Sequence, residues 1–381
     1  MRIALLPEYF YPYMGGGEEW FRHIGLGLTN LGHSVEVFAF PMSDAPSTEI
    51  LGGVRVTRAG IFVIDKWQPY FKRAISHVLT FFFHPIRNSK CDVAIGQGSA
   101  VLGAFPILWA RHIPTVCVVH DIYGLPASVR DKGLLKGVAR YFAVEKLLHK
   151  LPFKAWIAVS EATKKKLEQL GVPPERITIV RNGIDEKLLR YKPRHRHDNM
   201  ITYLGRLVKH KHPGDLIHAL SFLDPESNWT ARIAGEGELL PDLQALTRRL
   251  ALEKRVEFLG RIGDDEKTQL LASSSCLVLP SMAEGWGAVL TEAAAVGTPS
   301  IAYDVPGVHE QAGLIGSIIL VKPRVIASLT TSIRELLESP QLVTKLGESG
   351  KAAAKKFTWE RSSRDTNDLL VELKRQLAND L

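Results

Sequence analysis

Cysteine is scarce in this chain of 381 residues, and its three cysteines lie far apart without a CxxC pair. That spacing excludes a disulfide-stapled scaffold and a zinc ribbon. Cys117 and Cys276 lie in apolar, strand-like runs, and Cys91 stands alone. We interpret all three as small buried hydrophobic residues of a protein from a reducing compartment.

Long apolar runs are also missing from the sequence. No stretch approaches the roughly 18–20 residues that a helix needs to cross a bilayer. The N-terminal segment MRIALLP has one charge and a short apolar run before the turn at Tyr11 and Pro12, so it does not resemble a secretory signal. We therefore expect a cytoplasmic protein that could meet a membrane only peripherally, on the cytoplasmic face.

The composition is ordinary for a globular protein, with 45% hydrophobic and 23% charged residues. Residues 1–190 carry the whole formal net charge of +8, with 24 Lys and Arg against 16 Asp and Glu, whereas residues 191–381 hold 24 of each. Such an excess attracts anions, so the first half is expected to meet an anionic partner. The basic pI of about 9.3 would also suit a nucleic-acid-binding protein, but no recognisable nucleic-acid motif accompanies it.

Short β-branched runs alternate with helix-length segments along the whole chain. Continuous apolar strands separated by helices are typical of parallel sheets covered on both faces, which predicts a doubly wound α/β fold. The predicted strands are Arg2–Leu6, Ser34–Phe40, Val54–Arg58, Val93–Gly96, Thr115–His120, Ala155–Ser160, Ile177–Arg181, Ile201–Gly205, Thr230–Ala234, Val256–Leu259, Cys276–Pro280, Ser300–Tyr303 and Ser317–Val321.

The polar, basic stretch 191–199 interrupts this alternation and predicts a linker between two domains, as the chain length also suggests. The first Rossmann-like domain is expected to span residues 1–190 and the second residues 200–356. Three helical stretches close the chain, the last beginning near residue 357.

Two features of the first domain suggest a ligand at the ends of strands. Gly15 and Gly16 lie between the first strand and a helix, where backbone can approach an anion, although the GxGxxG spacing of a dinucleotide enzyme is missing. His120 and Asp121 follow a buried strand at its carboxyl end, where open α/β sheets bind ligands. A tight turn without a ligand and a purely structural histidine are the alternatives.

In the second domain, Arg206 follows the first strand and Lys211 stands near the start of the next helix. Two cations at a helix N-terminus suit a diphosphate, and they could stabilise the charge of a diphosphate leaving group. A solvated basic face is the alternative. No DxD-type metal cluster is apparent, because Asp264, Asp265 and Glu266 are better interpreted as the acidic first turn of a helix.

The segment EGWGAVLTE places Glu284 in a loop and Glu292 eight residues later in the following helix. Eight helical residues rise roughly 12 Å, so the two carboxylates could hold opposite ends of one elongated ligand. Glu292 could accept hydrogen bonds from both hydroxyls of a ribose. Glu284, with the backbone of Gly285, Trp286 and Gly287, could hold sugar hydroxyls. Acids at a helix start are also common capping features.

The order and spacing of these segments resemble the retaining glycosyltransferases of family 4, whose E-x7-E motif usually reads EGFG. Trp286 replaces the usual Phe, His212 replaces a common Gly, and PGVHE at 306–310 has one glycine fewer than usual. The matching segments are the glycines at 15–16, GHSV at 32–35, His120, AVSEAT at 158–163, NGID at 182–185, GRL with Lys211, GEGE at 235–238, FLG at 258–260 and FTWE at 357–360.

The resemblance implies a GT-B architecture, with two Rossmann-like doubly wound domains facing across a cleft and a C-terminal helix, about 357–381, crossing back to the first domain. It further implies a metal-independent hexosyl transfer with retention, by front-face attack rather than through a covalent Glu284 intermediate, and no cofactor besides a donor such as a UDP- or GDP-hexose. By this resemblance, Arg206 and Lys211 would bind the diphosphate, and the backbone of Gly15 and Gly16 would approach it. Glu292 would bind the ribose. Glu284 and His120 would contact the donor sugar, and Asp121 would support them or contact the sugar itself.

The acceptor is expected to be lipid-linked or a glycan. Residues 61–90 combine aromatic side chains, including Phe81, Phe82 and Phe83, with Lys and Arg, and the helix predicted at 132–154 adds further lysines. Both suit an anionic membrane surface, although a solvated helix face over core aromatics is the alternative. A nucleotide-sugar epimerase of the same architecture is the nearest alternative enzyme, and it would need no acceptor.

Overall fold

The computed structural model describes residues 1–12, 15–59, 85–122, 124, 133–191 and 199–379. The chain forms two compact units, residues 1–183 with 359–381, and residues 184–358. The helix Glu186–Arg190, which the sequence analysis assigned to the first domain, therefore belongs to the second unit. Most of the predicted linker, residues 192–198, and the aromatic stretch 60–84 lie outside the described residues, as do 123 and 125–132.

The first unit contains an eight-stranded sheet in the order β3-β4-β2-β1-β5-β6-β7-β8, parallel except for the antiparallel pair β3 and β4. Sequence analysis missed β3, a short edge strand with the sequence TEIL. The strands are β1 Arg2–Leu6, β2 Ser34–Ala39, β3 Thr48–Leu51, β4 Val54–Arg58, β5 Val93–Gln97, β6 Thr115–Val119, β7 Ala155–Ala158 and β8 Ile177–Ile179.

Helices cover both faces of this sheet, which explains why its central strands β5 and β6 are buried along their whole length. On β1, Ile3 and Leu5 pack into one core cluster and Ala4 and Leu6 into another, because successive strand side chains point to opposite faces. Within the described part of residues 1–183, the α-helices are α1 Gly16–Asn30, α2 Gly98–Ala110, α3 Leu134–Arg140, followed directly by a π-helix at Tyr141–Lys146, and α4 Glu161–Gln169.

The second unit contains a six-stranded, all-parallel sheet in the order β11-β10-β9-β12-β13-β14. Its strands are β9 Met200–Leu204, β10 Thr230–Ala234, β11 Val256–Gly260, β12 Cys276–Leu279, β13 Ser300–Tyr303 and β14 Ile318–Val321. Its helices are α5 Glu186–Arg190, α6 Pro213–Leu220, α7 Leu240–Arg249, α8 Asp264–Ser273, α9 Ala288–Ala295, α10 Pro306–Ile315, α11 Ile326–Glu338 and α12 Pro340–Ala354.

The last helix, α13 Trp359–Asn379, returns to the first unit and packs on α1. Leu370 and Leu373 join the core cluster that α1 also lines. His33 Nε2 lies 2.7 Å from Asn367 Oδ1, and the ring of His23 stacks on Trp359 with 4.6 Å between centroids. The carboxyl ends of the parallel strands in each unit, and the loops that follow them, carry the predicted ligand contacts.

Candidate active site

The loop after β9 is held in place from both sides of its backbone. Buried Tyr203 donates a hydrogen bond of 2.9 Å from its hydroxyl to the carbonyl of Arg206. The neighbouring GEGE loop contacts the same segment closely, because a Cβ at Gly237 would lie 2.2 Å from the carbonyl oxygen of Leu207. These contacts fix the backbone from which Arg206 projects, at the carboxyl end of a central strand.

Lys211 and Glu284 form an ion pair through Nζ and Oε1, with side chains only 16% and 11% exposed. The turn carrying Lys211 is also tied to the loop after β12, since Met282 N donates 2.9 Å to the carbonyl of His210. Burial raises the pKa of Tyr203, the Glu284 carboxylate raises it further, and the Arg206 guanidinium opposes both. The Lys211–Glu284 pair and the Arg206 guanidinium therefore both lie in the neighbourhood of the Tyr203 hydroxyl.

Glu292, on α9, is paired with a different cation. Lys267 Nζ lies 2.9 Å from Glu292 Oε1 and 3.3 Å from Asp264 Oδ1, so the lysine sits between two acids. Asp264 begins α8 as the predicted first-turn acid and also holds this lysine. In the described ranges, no group of three or more His, Cys, Asp or Glu side chains is arranged to hold a metal ion.

The residues between the two acids shape the backbone. Gly287 adopts a left-handed φ of 67° immediately before α9, which favours glycine. Trp286 is 2% exposed and its ring packs 5.3 Å from that of Phe357, so its side chain belongs to the core. A Cβ at Gly307 would lie 2.1 Å from the carbonyl oxygen of Glu284 and 2.6 Å from that of Gly285, so the glycine that PGVHE retains is the one this loop needs.

In the first unit, the glycine loop leads directly into α1. Gly15 precedes the helix, and the Glu18 side chain folds back to it, since a Cβ there would lie 2.5 Å from Glu18 Oε2. Among the described residues, a Cβ at Gly16 would meet nothing within 4 Å. The helix start is therefore already partly balanced by a carboxylate, while no described side chain crowds Gly16.

His120 follows β6, and its Nε2 is buried without a hydrogen-bond partner in the described residues. The edge of Trp20 approaches the ring at 5.9 Å between centroids. Burial lowers the pKa of His120 to about 4, so the imidazole is neutral near pH 7 and offers one donor and one acceptor. A neutral ring is suited to hydroxyl groups rather than to phosphate.

Asp121 is committed to the turn after β6. Its Oδ1 accepts 2.8 Å from the backbone N–H of Ile122 and 3.0 Å from Lys166 Nζ, and Lys166 also donates 2.8 Å to the carbonyl of Ile122. These bonds favour a supporting role for Asp121 over direct contact with a sugar.

Sequence analysis missed two polar residues at strand ends in the first unit. Gln97 ends β5 and is buried, and a Cβ at Gly17 would lie 3.1 Å from Gln97 Oε1 and 3.5 Å from His120 Cδ2. Glu8 follows β1 and accepts 2.7 Å hydrogen bonds from both N and Oγ of Ser99. The strand-end rule that selected His120 would have selected both residues. Lys267 could not be found this way, because it lies inside a helix.

Comparisons with known proteins show which family the chain resembles. Residues 14–188 match the family described as Glycosyltransferase Family 4, and residues 185–353 match Glycosyl transferases group 1. The chain is 24% identical to an MMP alpha-(1->4)-mannosyltransferase of Mycolicibacterium hassiacum, covering 96% of this chain and 97% of that protein.

Solved structures with 19–21% identity share the fold. Sucrose-phosphate synthase from Thermosynechococcus elongatus superimposes with a TM-score of 0.83, covering 99% of this chain and 100% of that one. HepE of Anabaena, in complex with UDP-glucose, gives a TM-score of 0.72 over 98% and 100%. The family matches favour transfer over epimerisation. The chain therefore belongs to glycosyltransferase family 4, with the GT-B fold.

Proposed function

We propose that this glycosyltransferase moves a hexosyl group from a nucleoside diphosphate sugar to a lipid-linked or glycan acceptor, with retention and without an essential metal ion. The observation that carries the proposal is the position of the Lys211–Glu284 pair and the Arg206 guanidinium near the Tyr203 hydroxyl, at the carboxyl end of β9. Two cations can replace a metal in stabilising the departing diphosphate. The UDP-glucose bound by HepE supports this donor class.

Each end of the donor has a candidate partner. The carboxylate of Glu292 would accept hydrogen bonds from the ribose, and Arg206 and Lys211 would bind the diphosphate. Glu284 and the backbone at 285–287 would hold the sugar. In the first unit, His120 and the amide of Gln97 would contact sugar hydroxyls, because each can both donate and accept a hydrogen bond.

Retention fits a front-face reaction in this proposal. The bond between the anomeric carbon and the phosphate oxygen breaks while the acceptor oxygen bonds to the same face of that carbon. The acceptor proton passes to the departing phosphate, whose charge the two cations stabilise. In this scheme Glu284 binds the sugar hydroxyls, and no covalent intermediate forms on it.

A ligand-dependent unfolding assay tests the donor class. UDP, GDP and ADP are compared with and without EDTA, and the cognate diphosphate at 100 times its Kd should stabilise the protein by about 2.7 kcal/mol. Arg206→Ala and Glu292→Ala should lose most of this stabilisation. Arg232→Ala is the matched control, because Arg232 pairs with Glu257 on neighbouring strands of the same sheet. Stabilisation that all three variants retain, or that EDTA abolishes, would contradict the proposal.

A further inference from the structure

The carboxylate of Glu292 in the candidate donor site is held by a lysine to which the sequence analysis assigned no role. Lys267 lies in the first turn of α8 and donates from Nζ to Glu292 Oε1 at 2.9 Å. Asp264, the first residue of the same helix, lies 3.3 Å from the same Nζ. Lys267 and Glu292 are 23% and 21% exposed, so the pair is largely shielded from solvent.

Only one of the two carboxylate oxygens of Glu292 takes part in this arrangement. Within the described parts of the chain, Oε2 of Glu292 makes no hydrogen bond, whereas Oε1 is engaged by the lysine. A carboxylate has about four acceptor positions, so the remaining ones can serve two neighbouring hydroxyl groups. A hydrogen-bonded ammonium also restricts rotation of the carboxylate plane, and restricting a side chain before binding lowers the entropy lost when a ligand binds.

Asp264 adds a second restraint to the lysine. A lysine side chain has four flexible carbons and would otherwise occupy many rotamers. An acid at the preceding turn, in the favourable i, i+3 relation, limits those rotamers. Asp264 on α8 thus restrains Lys267, and Lys267 in turn restrains the carboxylate of Glu292 on α9.

We propose that Lys267 is a positioning residue that orients Glu292 toward the ribose and thereby sets the preference for nucleotides with both ribose hydroxyls. The inference rests on the proposed function, in which Glu292 binds the ribose. It assigns no direct contact between Lys267 and the sugar. Losing the lysine should therefore weaken binding only for ligands that carry the hydroxyls.

Calorimetric Kd values for UDP, GDP and their 2′,3′-dideoxy counterparts test the inference. The wild-type protein should bind the cognate ribonucleotide about thirtyfold more tightly than its dideoxy counterpart. Lys267→Met should weaken the ribonucleotide about tenfold and leave the dideoxy Kd unchanged, because only hydroxyl recognition is lost. Lys267→Arg should restore most of the preference, since it keeps a cation at the same position.

Two further variants separate the possible failures. Glu292→Gln should remove the preference altogether, and Lys254→Met, at an exposed position of the same unit, should keep it. A wild-type protein without any ribose preference would contradict the assignment of Glu292, and with it the proposed donor site. If Lys267→Met keeps the preference for ribonucleotides while Glu292→Gln loses it, the role of Lys267 is overturned and the proposed donor site stands.

Discussion

At the scale of single residues, the ion pair of Lys211 and Glu284 links two predicted roles. The lysine is assigned to the diphosphate and the acid to the transferred sugar, yet in this structure they bind each other. A bound phosphate would compete with the carboxylate for the same ammonium group. We therefore expect the donor phosphate to replace Glu284 as the partner of Lys211, which releases Glu284 to bind the sugar hydroxyls.

The variant Glu284→Gln tests this exchange. We expect the free nucleoside diphosphate to bind about three- to tenfold more tightly, because a competing negative charge near the phosphates is gone, while turnover of the sugar donor falls at least about a hundredfold. Calorimetry and initial rates give the two values. Glu257→Gln, at an exposed acid of the same unit, should change neither. Weaker diphosphate binding in Glu284→Gln would show that the pair supports the phosphate site instead of competing with it.

Arg206, Lys211 and Glu284 could be chosen from the sequence because each lies between a strand and a helix in a repeating α/β pattern, and Glu292 could be chosen through its spacing from Glu284. Which of these side chains form ion pairs could not be predicted from the sequence. The spacing of Glu284 and Glu292 gives no indication that one would meet Lys211 and the other Lys267, since both lysines lie on elements distant in sequence. Family resemblance supplied roles for single residues, whereas contacts between side chains required the fold.

At the scale of elements, the contact between α1 and α13 depends on a single missing side chain. Gly27 lies in α1 opposite the buried Ser363 of α13, and a Cβ at Gly27 would come within 2.0 Å of Ser363 Oγ and 2.4 Å of its Cβ. The two helices could not approach as closely with any larger residue at this point. The last helix thus stays on the first unit through a close backbone contact as well as through Leu370 and Leu373.

The substitution Gly27→Ala should destabilise the protein by about 1–3 kcal/mol, the usual cost of overpacking. Urea unfolding followed by circular dichroism measures the loss. Gly313→Ala is the matched control, because Gly313 is also helical but a Cβ there meets nothing within 4 Å, so its stability should hold or rise. Ser363→Gly combined with Gly27→Ala should recover much of the loss. An unchanged stability in Gly27→Ala alone would mean that α13 can shift without cost.

Most elements were predictable because their signals are local. Apolar runs bounded by turns located thirteen of the fourteen described strands to within a residue or two. The exception, β3, has only four residues, and its burial alternates between exposed and half-buried, so no apolar run marks it. The helix predicted at 132–154 instead becomes a π-helix at Tyr141, a change in hydrogen bonding that apolar periodicity does not reveal.

At the scale of the whole molecule, the charge asymmetry and the exposed apolar residues of the first unit coincide. The segment 134–147 exposes large apolar side chains, with Leu134 at 68% and Leu135 at 85%. Lys146 lies over the ring of Phe142, which is itself half exposed, at 5.3 Å. Exposed lysines beside exposed apolar groups are the combination that binds an anionic lipid surface. In the described parts of the chain, no helix is long and apolar enough to cross a bilayer.

The proposed membrane contact makes a distinct prediction for this segment. In a sedimentation assay with vesicles containing 30% anionic lipid (about one lipid in three), replacing both Leu134 and Leu135 by Ser should weaken binding about tenfold or more, because two apolar side chains no longer enter the interface. Binding of the unaltered protein should also fall as salt increases, since the lysines act through screened charge. Phe222→Ser provides the control, because Phe222 is similarly exposed, at 66%, but lies in the second unit, where 22 Lys and Arg nearly balance 21 Asp and Glu. Vesicle binding that the double Leu substitution leaves intact would exclude the segment 134–147 as the contact. An unaltered protein that does not bind these vesicles would make a soluble glycan the better acceptor to test.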